Sequence, residues 1–317
     1  MKRFAIFTVR LQCAVLVALS FILFAPIRLE AKDVPFNRIV VLGDSLSDTG
    51  NFFELSGGFP PAPYLQGRAS NGRLWVEYLA DDFGITASDM DNLAFFGATT
   101  SSININDGLG GQDFPGLREE VEALLSQNPT GLDPDALYIL WIGANDFFVY
   151  FQTGGDPTPM IVTGVGNTVA AVQRLAAAGA RHILVANVPD IGLTPFAISS
   201  GSAPLVTQLA AAYNNALSGA LASLANAGIP TIQLDAFATF QGIVEYAQMI
   251  GFTNVTDAFL PAMEGDVSEF LFWDNVHPTT RAHQVLAEVA RFGLVEHFRH
   301  GNGSRRLNLP KAIAHAR

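Results

Sequence analysis

The chain has 317 residues, 49% of them apolar and 15% charged, a balance that excludes an intrinsically disordered protein and leaves enough apolar surface for a sizeable core. Asp and Glu outnumber Lys and Arg 29 to 18, and the net charge of −11 disfavours a nucleic-acid partner, which needs clustered cations. A single cysteine, Cys13, rules out a disulfide framework and a cysteine-based zinc site.

In chain order, Met1-Lys2-Arg3 and Arg10 precede an apolar stretch from Leu11 to Ile27, and Leu29-Glu30-Ala31 ends on a small residue. This is the pattern of a secretory signal peptide over 1–31. The run is close to the length that crosses a bilayer, so an uncleaved anchor is the alternative. Cleavage after Ala31 removes four basic residues, one acid and Cys13, leaving a cysteine-free mature chain at −14. The expected organisation is a signal peptide over 1–31, one folded domain over 32–298 and a disordered basic tail over 299–317, in a secreted, periplasmic or extracellular protein.

Arg38-Ile39-Val40-Val41-Leu42 reads as a buried strand that breaks at Gly43 into Asp44-Ser45-Leu46-Ser47-Asp48-Thr49-Gly50-Asn51. A small hydroxyl residue at the carboxyl end of such a strand stands where open α/β sheets hold ligands, which suits Ser45 to a nucleophile. Capping of the next helix by Asp44, Ser45 and Ser47 is the simpler reading. Gly57 to Tyr64 carries three prolines in four positions and must be a surface loop. Ser70-Asn71-Gly72-Arg73 forms a turn before a helix over 74–83.

Asn92-Leu93-Ala94-Phe95-Phe96 is predicted as a second strand, stopped by Gly97. A glycine there brings backbone N–H close to a ligand, as an oxyanion site requires, or simply makes a turn. Asn104 to Pro115 is a glycine-rich loop, and Leu117 to Gln127 an amphipathic helix with Leu117, Val121, Leu124 and Leu125 on its apolar face and Glu119, Glu120 and Glu122 solvated. Asp135 to Ile142 is the most strand-like run and ends in Gly143-Ala144-Asn145-Asp146, where Asn145 can donate an amide N–H to developing negative charge or make an Asx turn.

A helix over 160–178, a strand over 182–187 opened by a surface His182, a helix over 205–227, a strand over 231–235 and a helix over 236–250 follow. This alternation points to a mostly parallel sheet covered on both faces. Asp274 and His277, three apart before Pro278-Thr279, can form a carboxylate–imidazole hydrogen bond. A metal-ligand fragment fits less well, because no other His cluster has suitable spacing. Phe52, Phe53, Phe59, Tyr64, Phe147, Phe148, Tyr150 and Phe151 flank these segments and serve either an acyl pocket or the core.

Four of these segments, the Gly43–Asn51 run, the block ending at Gly97, Gly143-Ala144-Asn145-Asp146 and Asp274-Asn275-Val276-His277, resemble in content and order the signature blocks of the GDSL (SGNH) hydrolases, in the branch of secreted phospholipase-, lecithinase- and hemolysin-like esterases. The Ser70–Arg73 turn resembles that branch too, and the resemblance runs from Gly43 to about Phe292. It implies a three-layer α/β/α sandwich on a mostly parallel, flavodoxin-like five-stranded sheet. It further implies Ser45, Asp274 and His277 as a catalytic triad, with the backbone N–H groups of Ser45 and Gly97 and the side chain of Asn145 as oxyanion hole. Phe96 departs from the pattern, standing where many relatives have another Gly. Ser45 lacks a Gly-x-Ser-x-Gly elbow, which argues against the ordinary α/β-hydrolase.

The expectation is a secreted serine esterase or lipase that needs no metal or cofactor. It would cleave lipid or short-to-medium acyl esters and touch lipid surfaces transiently. Alternatives are acyl transfer to an alcohol, a carbohydrate acetylesterase, a surface carbohydrate-binding protein and, last, a metal phosphodiesterase.

Overall fold

The computed structural model describes residues 34–300. The expected signal peptide and the expected tail beyond 300 lie outside the described residues. Five parallel strands, β1 (Arg38–Gly43), β2 (Met90–Asn92), β3 (Ala136–Trp141), β4 (His182–Ala186) and β5 (Ile232–Leu234), form one sheet in the order β2-β1-β3-β4-β5. This is the flavodoxin-like order expected above.

β1 and β3 are buried on both faces, which explains why each reads as an unbroken apolar run rather than an alternating one. Val40, Leu42, Tyr138 and Leu140 join one core with helices α3 (Leu117–Gln127), α5 (Thr158–Ala177) and α7 (Ala203–Asn226). Residues of the opposite pleat face α2 (Trp75–Asp82) and α9 (Thr280–His300), with the rings of Trp75 and Trp141 meeting edge-on at 5.2 Å. Two helical layers thus enclose the sheet.

Two expectations need correction, and one pair of strands was not foreseen. β2 covers Met90–Asn92 rather than 92–96, although the Leu93 and Phe95 N–H groups still donate to the Val41 and Gly43 carbonyls. The residues after Gly143 do not stop at a turn but form helix α4 (Ala144–Thr153). Between α8 (Ala236–Glu245) and α9, β6 (Asn254–Ala258) and β7 (Phe270–Phe272) make a separate parallel pair. The short helices α1 (Asn51–Leu55) and α6 (Pro195–Ser199) complete the set, and α9 continues two residues past the expected domain limit at 298.

Candidate active site

The chain leaves β1 towards β2 on one side, while β3 lies on the other, so a crevice opens at the carboxyl ends of β1 and β3. Ser45 follows β1, Asn145 follows β3 on the first turn of α4, and the loop after β7 brings His277 across from the far end of the chain. Gly43 permits the exit from β1, because a Cβ there would collide with the Trp141 carbonyl.

Ser45 Oγ lies 2.9 Å from His277 Nε2, and His277 Nδ1 lies 2.8 Å from Asp274 Oδ2. The other oxygen, Asp274 Oδ1, accepts the backbone N–H groups of Val276 and His277 at 2.8 and 2.7 Å. Burial works against the charge on Asp274, but the His277 charge and these hydrogen bonds outweigh it and pull the carboxyl down to about 2. Burial likewise works against a charged His277, and the Asp274 carboxylate, aided by its hydrogen bond, overcomes that and raises the imidazole above its ordinary value. Asp44 beside the serine is pushed up to about 7, first by burial.

Ser45, Asn145 and His277 line one cleft, open to solvent, with Leu46, Phe148, Ile191, Phe240 and Phe272. Asn145 spends one amide N–H on the Ala98 carbonyl at 2.8 Å, which fixes its side chain and leaves the second N–H for a ligand. Among the described residues, neither the Ser45 nor the Gly97 N–H has an acceptor in the protein. Gly97 is not itself on the cleft lining, but it has a φ of +85°, and a Cβ there would run into Asn104 and Asn106. Its neighbour Phe96 packs its ring 5.3 Å from the His277 ring, so the departure from the expected Gly places an aromatic wall behind the imidazole.

Of the eight aromatic candidates only Phe148 lines the cleft, while Phe52 and Phe147 are fully buried in the core. Among the described residues no three His, Cys, Asp or Glu side chains are grouped to hold a metal ion.

Several further residues secure the site. Buried Asp48 accepts N–H groups from Gly50, Asn51, Phe52 and Phe96, and so joins α1 to the turn before Gly97. Asp146 accepts from the Thr100 backbone, linking that turn to α4. Ser70 and Asn71 bond the Pro278 carbonyl and the Thr280 N–H, anchoring the histidine loop to the 70–73 turn.

Glu120 is the sharpest correction. Far from being solvated, it is 1% exposed, and its Oε2 accepts the Gly43 N–H at 2.8 Å at the point where β1 passes into the serine turn. Burial holds its carboxyl well above the usual range. Replacing Glu120 with Ala orphans that buried N–H and should cost about 1–3 kcal/mol of stability, whereas Glu120→Gln keeps an acceptor and most of the stability. Urea unfolding checks this, and coincident curves for Glu120→Ala and the unmodified protein would refute it.

A family model described as GDSL-like Lipase/Acylhydrolase matches residues 39–290. The chain is 29% identical to the phosphatidylcholine-sterol acyltransferase of Aeromonas hydrophila over 80% of this chain and 89% of that protein. It is 28% identical to the thermolabile hemolysin of Vibrio parahaemolyticus over 80% of this chain, spanning 62% of the hemolysin's length. It is 27% identical to an acetylesterase of Thermothelomyces thermophilus over 83% of this chain and 89% of that protein. The chain belongs to the GDSL-like lipase/acylhydrolase family, and is an ester-cleaving enzyme of that family.

Proposed function

We propose that the protein cleaves carboxylic esters through an acyl-enzyme on Ser45. The reading is carried by the Ser45–His277–Asp274 chain of 2.9 and 2.8 Å contacts, assembled from segments 232 positions apart. His277 Nε2 takes the Ser45 proton as Oγ attacks the ester carbonyl, then returns it to the departing alcohol. Asp274 holds the ring with Nδ1 protonated, so that Nε2 is the basic nitrogen. Water repeats the sequence on the acyl-enzyme and regenerates Ser45. The Ser45 and Gly97 N–H groups and the second N–H of Asn145 Nδ2 receive the oxyanion.

Losing one such donor should slow turnover about 10²–10³-fold, so Asn145→Ala should lose that much kcat on p-nitrophenyl butyrate. Full kcat in that variant would remove Asn145 from the oxyanion site. Because His277 must be neutral to accept a proton and its affinity for that proton is raised, kcat/KM should climb with pH through a step centred above the ordinary imidazole value of about 6.5. A midpoint at or below that value contradicts the assignment.

The apolar walls of the cleft, Leu46, Phe148, Ile191, Phe240 and Phe272, support an acyl chain as the recognised half of the substrate. Exposed Phe196, whose ring lies 6.2 Å from Phe148, and exposed Ile198 and Leu205 support brief contact with a lipid surface beside the cleft. A chain-length series of p-nitrophenyl esters, set against phospholipid and acetylated xylan, tests the substrate class. The relative named as an acyltransferase supports a second reading, transfer of the acyl group to an alcohol, which product analysis with added alcohol would reveal. The pattern in residues 1–31 supports export, with loss of those residues from the exported protein as its test.

A further inference from the structure

Asp274 has one hydrogen-bond donor more than the serine–histidine chemistry requires. Besides two backbone N–H groups on Oδ1 and the imidazole on Oδ2, Tyr64 donates its phenol proton to Oδ2 at 2.8 Å, from a loop 210 positions away. Tyr64 does not line the cleft, and its ring meets Trp273 edge-on at 6.0 Å. Phenylalanine would serve that packing equally well, so the hydroxyl needs another explanation.

The loop that carries it is held firmly. Arg68 pairs bidentately with Glu77 on α2 at 2.8 and 2.9 Å, with both side chains largely buried, and the Leu65 N–H donates to the Ser70 carbonyl. The same loop supplies Phe59, whose ring abuts Phe96, the residue packed behind the imidazole.

We infer that Tyr64 is a positioning residue for the catalytic triad, its hydroxyl setting the orientation of the Asp274 carboxylate and, through it, the basicity of His277. The inference rests on the roles given above to Ser45, His277 and Asp274. A neutral donor on Oδ2 occupies a lone pair and fixes the carboxylate plane against the ring. It also withdraws negative charge from the oxygen that faces Nδ1, tempering the pull of Asp274 on the imidazole proton. Burial and the neighbouring Asp274 charge keep the phenol protonated throughout the working range, so it acts as a constant donor rather than a second titrating group. The other ionisable groups bearing on His277 are Asp44 after β1, which raises it, and His283 on α9, which is buried with its own affinity for protons lowered to about 3 and is therefore neutral.

The test is Tyr64→Phe, read by the pH profile of kcat/KM and by the imidazole Nδ1–H proton resonance in a Ser45→Ala background, which needs no activity. Without the phenol the acid limb should move to higher pH by about 0.5–1 unit, and the Nδ1–H resonance should move downfield as Oδ2 becomes the stronger acceptor. Plateau kcat should fall about 3–30-fold with KM nearly unchanged, the loss being one of alignment rather than binding. An acid limb and resonance that superimpose on those of the unmodified protein overturn the inference, even if kcat and thermal stability fall together. Absence of Ser45-dependent hydrolysis in the unmodified protein would instead defeat the triad assignment itself, an outcome separable from the first.

Discussion

Ser45→Ala is expected to lower kcat about 10⁶-fold, the scale seen when the nucleophile of a serine–histidine unit is removed alone. Ser45 is 6% exposed, and among the described residues the only hydrogen bond made by its Oγ is the one to His277 Nε2. Its truncation therefore deletes one oxygen at the cleft surface without orphaning a core group, and the melting temperature should stay within a few degrees of the unmodified protein. Stopped-flow acylation with a p-nitrophenyl ester should lose its burst altogether. What remains should be the weak acceleration that binding and the oxyanion donors supply unaided. A burst of ordinary amplitude in the variant would mean that another residue carries the acyl group.

Asp274→Asn should cost about 10⁴-fold in kcat, through the tautomer of His277 rather than through loss of structure. Oδ1 of Asp274 faces two backbone N–H donors, those of Val276 and His277, so an asparagine must put its carbonyl oxygen there. Its NH₂ group is then forced towards Nδ1 and the Tyr64 hydroxyl. An amide that donates to Nδ1 leaves Nε2 carrying the proton, and the nitrogen facing Ser45 can no longer act as a base. The variant should bind substrate with little change in KM, and its residual rate should increase with hydroxide concentration. A loss of less than tenfold would show that Asp274 does not control the tautomer.

The residues that line the cleft at the sheet's carboxyl edge were legible because they follow strands. Ser45 and Asn145 come directly after unbroken apolar runs, and the sheet order puts the ends of those runs side by side. Asp274 and His277 were legible from their spacing before Pro278. The supports were less so. Glu120 lies three positions after Leu117 and four before Leu124, so the helical period itself placed it on the apolar face. Its charge suggested solvent, and only its bond from the Gly43 N–H at the end of β1 reveals why burial is tolerated.

β2 was misplaced for a related reason. Met90-Asp91-Asn92 lacks an apolar alternation, and pairing with β1 at the sheet edge, not composition, makes it a strand. α4 begins in a Gly-Ala-Asn-Asp sequence that suggests a turn, yet Phe147 pointing into the core anchors the helix that follows. Tyr64 and Asp48 act across 210 and 48 positions, distances over which local pattern carries no signal.

Exposure to a fluorophosphonate probe, followed by peptide mapping of the modified protein, tests the central claim most directly, because the probe reacts only where a hydroxyl, a base and oxyanion donors converge. One phosphonyl group per chain, on Ser45, with loss of labelling in His277→Ala, is the expected result. Ester hydrolysis that persists with Ser45 unmodified, or a label on any other residue, would contradict it.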